Sequence, residues 1–114
     1  MNTIAKYLHD MLERISRIEN VAAEGKATFD SSFMHQDTII RNYEVLGAIV
    51  KRLPDDLLAA VPKANWAQLK GFRDFLAHNY DRVDLKVVWD AVEQLPILRA
   101  AVESMLADLP QDDE

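Results

Sequence analysis

Along most of this chain, apolar residues recur three or four positions apart, the spacing that places them on one face of an α-helix. The first such series contains Ile4, Tyr7, Leu8, Met11, Leu12, Ile15, Ile18 and Val21. Asn2 or Thr3 can cap a helix at its amino end, and Gly25 is suited to end one. The pattern therefore predicts a first helix from residue 3 to about residue 24.

A second helix is predicted to begin at an N-cap among the polar residues 30–32 and to continue to about Leu53, because Pro54 disfavours helix at the residue before it. The apolar face of this helix contains Ile39, Ile40, Tyr43, Leu46, Ile49, Val50 and Leu53. Gly47 lies within the helix, where glycine costs about 1 kcal/mol relative to alanine. It suggests a close helix–helix approach, although a tolerated defect is nearly as good an explanation.

A third long helix is predicted to start at an Asn65 cap, after a short helical turn in residues 55–61. Its apolar positions are Trp66, Leu69, Phe72, Phe75 and Leu76. Asparagine tolerates the left-handed conformation that often ends a helix. We therefore expect the third helix to end near His78 or Asn79.

A fourth helix is predicted after Asp84, and Pro96 should kink or restart it before it continues through residues 97–109. No strand-like alternation occurs, and the chain has three glycines. We therefore predict an all-α fold, a four-to-five-helix antiparallel bundle whose fourth helix is kinked or broken at Pro96. Residues 1–114 are expected to form one domain with a short acidic tail at 110–114.

The composition limits the kinds of chemistry this protein can perform. Apolar residues make up 49% of the chain and charged residues 28%, the usual balance of a globular protein. The absence of cysteine excludes disulfides, thiolate metal sites and cysteine nucleophiles, which fits a reducing compartment. The amino-terminal residues lack the apolar stretch of a signal peptide, and no apolar run is long enough to span a membrane. We expect a cytoplasmic protein.

The formal net charge of −6 argues against a nucleic-acid-binding protein held to its ligand by electrostatics alone. The charge is unevenly distributed, however. Residues 62–88 carry a formal charge of +2, which leaves −8 for the remainder. This segment is the basic part of an acidic protein, although ordinary variation along a surface also produces such asymmetry.

Two of the three histidines, His9 and His35, are best interpreted as surface residues. Glu13 lies one helical turn after His9, and Asp37 follows His35, but neither pair has a third metal ligand in sequence. The chain contains no HExxH, Walker, GxGxxG or GxSxG motif. No metal site and no cofactor are therefore predicted.

The third histidine, His78, lies in a short segment that concentrates the reactive side chains of the chain. Residues 73–80 read Arg-Asp-Phe-Leu-Ala-His-Asn-Tyr. An arginine followed by histidine five positions later and tyrosine seven positions later is expected by chance roughly 0.005 times in a chain of this composition. Asp74 and His78 lie four residues apart and share one face of a helix, so the carboxylate can orient the imidazole.

Arg73 and His78, in contrast, lie roughly 140° apart on an ideal helix and would converge poorly on one phosphate. Either the helix ends before His78, or the site is assembled between two protomers, and we favour a dimer. A structural interpretation fits the same residues about equally well. His78 would cap a helix, Arg73 would pair with Asp74 or Asp81, and Tyr80 would be half-buried.

The spacing Arg73-x4-His78-x-Tyr80 resembles the R-x4-H-x-Y signature of HEPN domains, specifically the HepT-type toxins. In those proteins a polar residue follows the arginine, and Asp74 fits this position. Nearly the whole chain is similar to the family. The similarity also includes residues 41–47, 51–54 and 83–89, together with Trp66 and Gly71.

This resemblance implies an all-α homodimer that cleaves RNA without a metal ion, with two motifs facing each other across the dimer cleft. It also implies a partner. HepT-type toxins are paired with a minimal nucleotidyltransferase antitoxin, which neutralises the toxin by complex formation and by transferring AMP to the motif tyrosine. Tyr80 occupies that position.

RNA can be cleaved by its own 2′-OH when proton transfer and positive charge are supplied at the phosphate. We assign His78 to general acid–base catalysis, Arg73 to phosphate stabilisation and Asp74 to orienting His78. Asn79 is a candidate hydrogen-bonding residue for RNA. Tyr80 would stack on a base, position the phosphate or accept AMP. The products would be a 2′,3′-cyclic phosphate and a 5′-OH.

A second hypothesis is a non-catalytic helical module that docks a nucleotidyltransferase or binds a nucleotide. The acidic net charge favours this module, and the intact motif favours the endoribonuclease. Cleavage of tRNA or bulk RNA in the presence of EDTA separates the two. A plain structural bundle is least favoured, because four polar residues cluster at one predicted helix end.

Overall fold

The computed structural model of the chain describes residues 2–72, 74 and 84–110, and these residues are helical with short connections. The described helices are α1 (Thr3–Ala22), α2 (Lys26–Ser31), α3 (Phe33–Val50), α4 (Asp55–Ala59), α5 (Trp66–Lys70), α6 (Leu85–Glu93) and α7 (Leu95–Asp108). Helix α1 packs against α3 and α7, and α3 also contacts α2 and α5. The predicted all-α bundle is confirmed.

Helix α1 follows the amphipathic pattern closely. The Asn2 side chain caps the helix by accepting a hydrogen bond of 2.7 Å from the Ile4 backbone N–H. The buried side of α1 consists of Leu8, Met11, Ile15 and Ile18. The helix ends at Ala22, and Gly25 has a φ of 98°, a value that glycine adopts without the steric cost of a side chain.

Helix α2 was not predicted from the sequence. Its six residues are too few to show a helical repeat, and Phe29 is its one buried side chain. Phe29 is 1% exposed, and its ring lies 5.2 Å from that of Trp89, measured between centroids. The cap of the next helix is Ser32, within the predicted range, and its hydroxyl accepts from the His35 backbone N–H.

Gly47 of α3 marks a close helix–helix approach, as the first of the two interpretations predicted. A Cβ atom at this position would overlap the carbonyl oxygen of Leu69 in α5. Gly47 is buried, and no helical side chain larger than hydrogen fits between the two backbones. The cost of glycine in a helix is therefore offset by the contact that it allows.

Helix α5 is shorter than the predicted third helix. It is capped by Asn65 as expected, but it ends at Lys70 and the chain turns at Gly71. Phe72 and Asp74 are helical again, and the Asp74 N–H donates to the Gly71 carbonyl at 2.9 Å, the tight three-residue spacing of a 3₁₀ turn. The expected end near His78 or Asn79 lies outside the described residues.

The predicted break near Pro96 is confirmed, with the interruption at Gln94 between α6 and α7. Pro96 occupies the first turn of α7, where the missing N–H leaves no helical hydrogen bond unmade. Asp84 caps α6 as predicted by accepting from two backbone N–H groups. Arg99 joins α7 to α1 through two hydrogen bonds to the Glu19 carboxylate, at 2.6 and 3.1 Å.

Within the described parts of the chain, none of the helices combines the length and apolar character that crossing a membrane requires.

Replacement of Gly47 by alanine should lower the free energy of unfolding by about 1–3 kcal/mol, because the new methyl group overpacks the contact with Leu69. This loss should exceed the gain in helix propensity of about 1 kcal/mol. Urea denaturation of the purified protein measures the difference. Ala48→Ser, at the exposed neighbouring position, is the control and should change stability by less than about 0.5 kcal/mol. A Gly47→Ala variant as stable as the wild type would contradict the close approach.

Candidate functional site

Most of the predicted site lies outside the described residues. Arg73, His78, Asn79 and Tyr80 belong to this group, so their assigned roles stay predictions. Asp74 is described and exposed at the surface. The structure therefore defines the chain that leads into residues 73–80 and the surface beside it.

Phe72, the residue before Arg73, is fixed in the core by an aromatic contact. Its ring stacks on that of Tyr43 in α3, with centroids 4.6 Å apart and planes 18° from parallel. Both side chains are 1% exposed. Because stacked aromatic pairs gain energy beyond the burial of their area, this contact holds the residue that precedes the motif segment against α3.

The Tyr43 hydroxyl is an unusual feature of this contact. It is buried and has no hydrogen-bond partner among the described residues. Burial raises the pKa of the Tyr43 phenol well above its ordinary value, so this residue stays neutral. Tyr43 is thus a packing residue, and none of the described residues activates it as an acid or a base.

A surface groove of about 720 Å³ lies between α1, α3 and α5 and extends to Phe72. Its described lining combines two aromatic residues, several cations and fewer carboxylates. The ionisable residues are Arg14, Arg41, Lys51, Arg52, Lys70, Asp10, Glu13 and Glu44. The formal charge of this set is +2, whereas that of the whole chain is −6.

Sequence reasoning placed the basic region in residues 62–88 and missed the cations that α3 and the following turn supply. A signal was present in the spacing of Arg41 and Arg52. Eleven residues correspond to about three helical turns, so these two positions fall on one face. That face lies opposite the apolar stripe, and the sequence does not reveal which helices adjoin it.

The other two histidines, His9 and His35, are among the described residues. His9 is exposed. His35 contacts the Ser32 hydroxyl through Nδ1 at 2.6 Å and the Glu24 carboxylate through Nε2 at 2.9 Å. The predicted neighbour of His35, Asp37, is exposed and forms neither of these contacts. Among the described residues, no group of three or more histidine, aspartate or glutamate side chains is arranged to hold a metal ion.

An all-α bundle whose sequence carries the R-x4-H-x-Y spacing after α5 is consistent with the HEPN class. A family model described as ribonuclease HepT-like matches residues 11–105. The match covers most of the chain, and the chain belongs to this HepT-like family.

Named relatives agree with this assignment. A Methanocaldococcus jannaschii protein named "Putative RNase MJ0127" is 30% identical, over 97% of this chain and 93% of that protein. A Thermococcus cleftensis protein named "Probable ribonuclease HepT" is 32% identical, over 87% of this chain and 92% of that protein. "Putative RNase TTE0752" of Caldanaerobacter subterraneus is 27% identical, over 93% and 96%. No solved structure matches this chain.

Tyr43→Phe should raise the free energy of unfolding by about 1 kcal/mol. It keeps the ring that stacks on Phe72 and removes a buried hydroxyl, whose burial without a partner costs about 1–3 kcal/mol. Tyr43→Leu, which removes the stacked ring, is the matched comparison and should be destabilising. Thermal and urea unfolding of both variants test the interpretation. A Tyr43→Phe protein less stable than the wild type would mean that the hydroxyl is hydrogen-bonded.

Proposed function

We propose that this chain is an endoribonuclease toxin of a toxin–antitoxin pair, acting in the cytoplasm on tRNA or mRNA without a metal ion. One observation carries the proposal. The HepT-like ribonuclease match covers residues 11–105, which include Arg73, His78 and Tyr80 at the R-x4-H-x-Y spacing. The names of the relatives are consistent with ribonuclease activity.

The chemistry of these residues is sufficient for cleavage by the RNA's own 2′-OH. The 2′ oxygen attacks the adjacent phosphorus while His78 removes its proton, and the bond from phosphorus to the 5′ oxygen breaks as that oxygen gains a proton. The Arg73 guanidinium stabilises the charge that develops on the phosphate oxygens. Asp74 orients His78, and Asn79 hydrogen-bonds to the RNA. The products are a 2′,3′-cyclic phosphate and a 5′-OH.

A homodimer suits this mechanism because Arg73 and His78 diverge on an ideal helix. Two motifs that face each other bring an imidazole from each protomer to the same cleft. One imidazole then accepts the proton of the 2′-OH, and the other donates a proton to the leaving oxygen. The proposed enzyme therefore depends on dimerisation for its complete set of catalytic groups.

Regulation is proposed to occur at Tyr80 through a nucleotidyltransferase antitoxin. The phenol oxygen of Tyr80 attacks the α-phosphorus of ATP, loses its proton and displaces pyrophosphate, which leaves AMP bound to the ring. The added phosphodiester is a bulky anion next to Arg73. It would occupy the place of the RNA phosphate and repel the substrate.

The net charge of −6 favours a second candidate, a non-catalytic module that docks the nucleotidyltransferase or binds a nucleotide. Such a module would need the helical surface but not the proton-transfer chemistry of His78. The two candidates therefore differ in their response to substitution of that residue.

Purified wild-type protein should cleave tRNA or total RNA in EDTA, and His78→Ala should reduce the rate by about 10²–10⁴-fold because the proton-transfer group is lost. Arg73→Ala should reduce it about 10²–10³-fold, as removal of a transition-state donor does. Gel electrophoresis measures the rates, and end-group analysis should find the cyclic phosphate.

The matched controls are His9→Ala and Arg17→Ala, which remove the same side chains from exposed positions on α1. Both should cleave like the wild type, and size-exclusion chromatography should find every variant dimeric. Products with a 3′-OH would contradict the mechanism. If a folded wild-type dimer cleaves no RNA, the non-catalytic module is the better proposal.

Incubation with the cognate nucleotidyltransferase and ATP should add AMP to Tyr80 and abolish cleavage, because the adduct places negative charge beside Arg73. Intact-mass spectrometry detects the adduct, and peptide mapping locates it. Tyr80→Phe should gain no mass, whereas Tyr7→Phe, which changes a partly buried tyrosine on α1, should be modified normally. Modification of Tyr80→Phe to the wild-type extent would refute this assignment.

A further inference from the structure

The groove between α1, α3 and α5 concentrates positive charge in an acidic protein. Three of its cations lie near the carboxyl-terminal half of α3: Arg41, Lys51 and Arg52. All three are exposed, and none of them has an ion pair or a hydrogen bond to another described residue. Their charges are therefore available to a bound anion.

The remaining cations of the groove are held in place. The Arg14 guanidinium donates to the side-chain oxygen of Asn42 at 3.2 Å, and Asn42, which is 5% exposed, is anchored to the Thr38 carbonyl. Lys70 lies 3.5 Å from Asp55. Of the acids, Glu13 already pairs with Arg17 outside the groove at 2.7 Å. Arg14 and Lys70 are thus held in place by contacts with other side chains, whereas the first three cations are available to a ligand.

An aromatic side chain lies on the same surface. Tyr7 of α1 is partly buried and lines the groove. Proteins that hold single-stranded nucleic acids combine a positively charged groove with aromatic rings on which bases stack. A groove of 720 Å³ is within the range of about 300–1,000 Å³ typical of small-ligand sites. It admits a few nucleotide units, whereas double-stranded RNA is recognised across wide outer surfaces.

The groove is also close to the motif in the sequence. Its lining includes Leu69, Lys70 and the inner residue Phe72, and Arg73 follows Phe72 in the chain. The described lining of the groove therefore reaches the residue directly before the motif. A strand that occupies the groove therefore contacts the residues that immediately precede the R-x4-H-x-Y motif in the sequence.

We propose that this groove binds the single-stranded RNA that adjoins the cleaved phosphate. Arg41, Lys51 and Arg52 contact its backbone phosphates, and Tyr7 stacks on a base. The inference rests on the proposed ribonuclease function for the identity of the ligand. It deepens that function by restricting the substrate to unpaired RNA and by assigning binding to a surface separate from the motif.

Binding is tested in a His78→Ala background, which prevents cleavage, with a short fluorescein-labelled single-stranded RNA. The triple variant Arg41→Gln/Lys51→Gln/Arg52→Gln should raise Kd at least tenfold, measured by fluorescence anisotropy at several salt concentrations. Loss of three phosphate contacts should also reduce the slope of log K against log salt by about 2, since each contact to a single strand contributes about 0.7.

The matched control removes three charges from positions outside the groove and therefore has the same net charge. It combines Lys26→Gln, Lys63→Gln and Lys86→Gln. This control should change Kd by less than about threefold, because screening limits the influence of distant charges. A second pair of variants tests stacking. Tyr7→Phe should bind like the parent, and Tyr7→Leu should bind more weakly while remaining folded by circular dichroism.

Two competing ligands complete the test. An RNA duplex of the same length and a polyglutamate peptide should both bind more weakly than the single strand. The triple variant of Arg41, Lys51 and Arg52 should change their Kd values little. Equal binding of the duplex, or groove-dependent binding of the acidic peptide at the same affinity, would overturn the proposal. A triple variant that becomes monomeric by size-exclusion chromatography would also overturn it, because the groove would then belong to the contact between protomers.

Cleavage by proteins with His78 intact separates this inference from the ribonuclease proposal. The triple variant Arg41→Gln/Lys51→Gln/Arg52→Gln should raise KM at least tenfold and leave kcat nearly unchanged. If the wild type cleaves and the triple has an unchanged KM and Kd, the groove inference is wrong and the ribonuclease proposal stands. If the wild type cleaves nothing but binds the single strand through the groove, the ribonuclease proposal fails and the groove inference stands.

Discussion

The close contact between Gly47 of α3 and the backbone of Leu69 in α5 positions the chain that leads to the predicted site. A Cβ atom at Gly47 would overlap the Leu69 carbonyl oxygen, so only glycine allows α5 to lie this close to α3. The approach allows Phe72 to stack on Tyr43 two residues after α5 ends. Gly47 and Leu69 also line the basic groove. One small residue thus positions both the chain that leads to the motif segment and a wall of the groove.

The charge distribution explains how an acidic protein can have an anion-binding surface. At physiological ionic strength the Debye length is about 8 Å, so charges beyond the groove are largely screened from a ligand inside it. Several acids elsewhere are also paired with cations, as Glu19 is with Arg99 and Asp30 with Lys26. The local arrangement of Arg41, Lys51 and Arg52, rather than the net charge of −6, determines what this surface attracts.

The long helices could be predicted because each shows several turns of apolar repeat, and the Asn2, Asn65 and Asp84 caps are local signals that no distant contact has to supply. Helix α2 could not, since six residues show too little of the repeat and the burial of Phe29 depends on distant packing partners such as Trp89. The motif was readable as a spacing of residue types. The groove was not, because its walls come from three helices whose packing the periodicity of one helix does not specify.

Asp74 is exposed, and this exposure limits the contribution that its charge can make in the proposed mechanism. A carboxylate in contact with water interacts weakly with a neighbouring imidazolium, because solvent screens their attraction. In the proposed mechanism, Asp74 would therefore act on His78 mainly through the direction of a hydrogen bond, and less through its charge. Arg73 and His78, in contrast, act on the phosphate itself in the proposed mechanism. Orientation by Asp74 becomes more important only where a second protomer or the bound RNA excludes water from this surface.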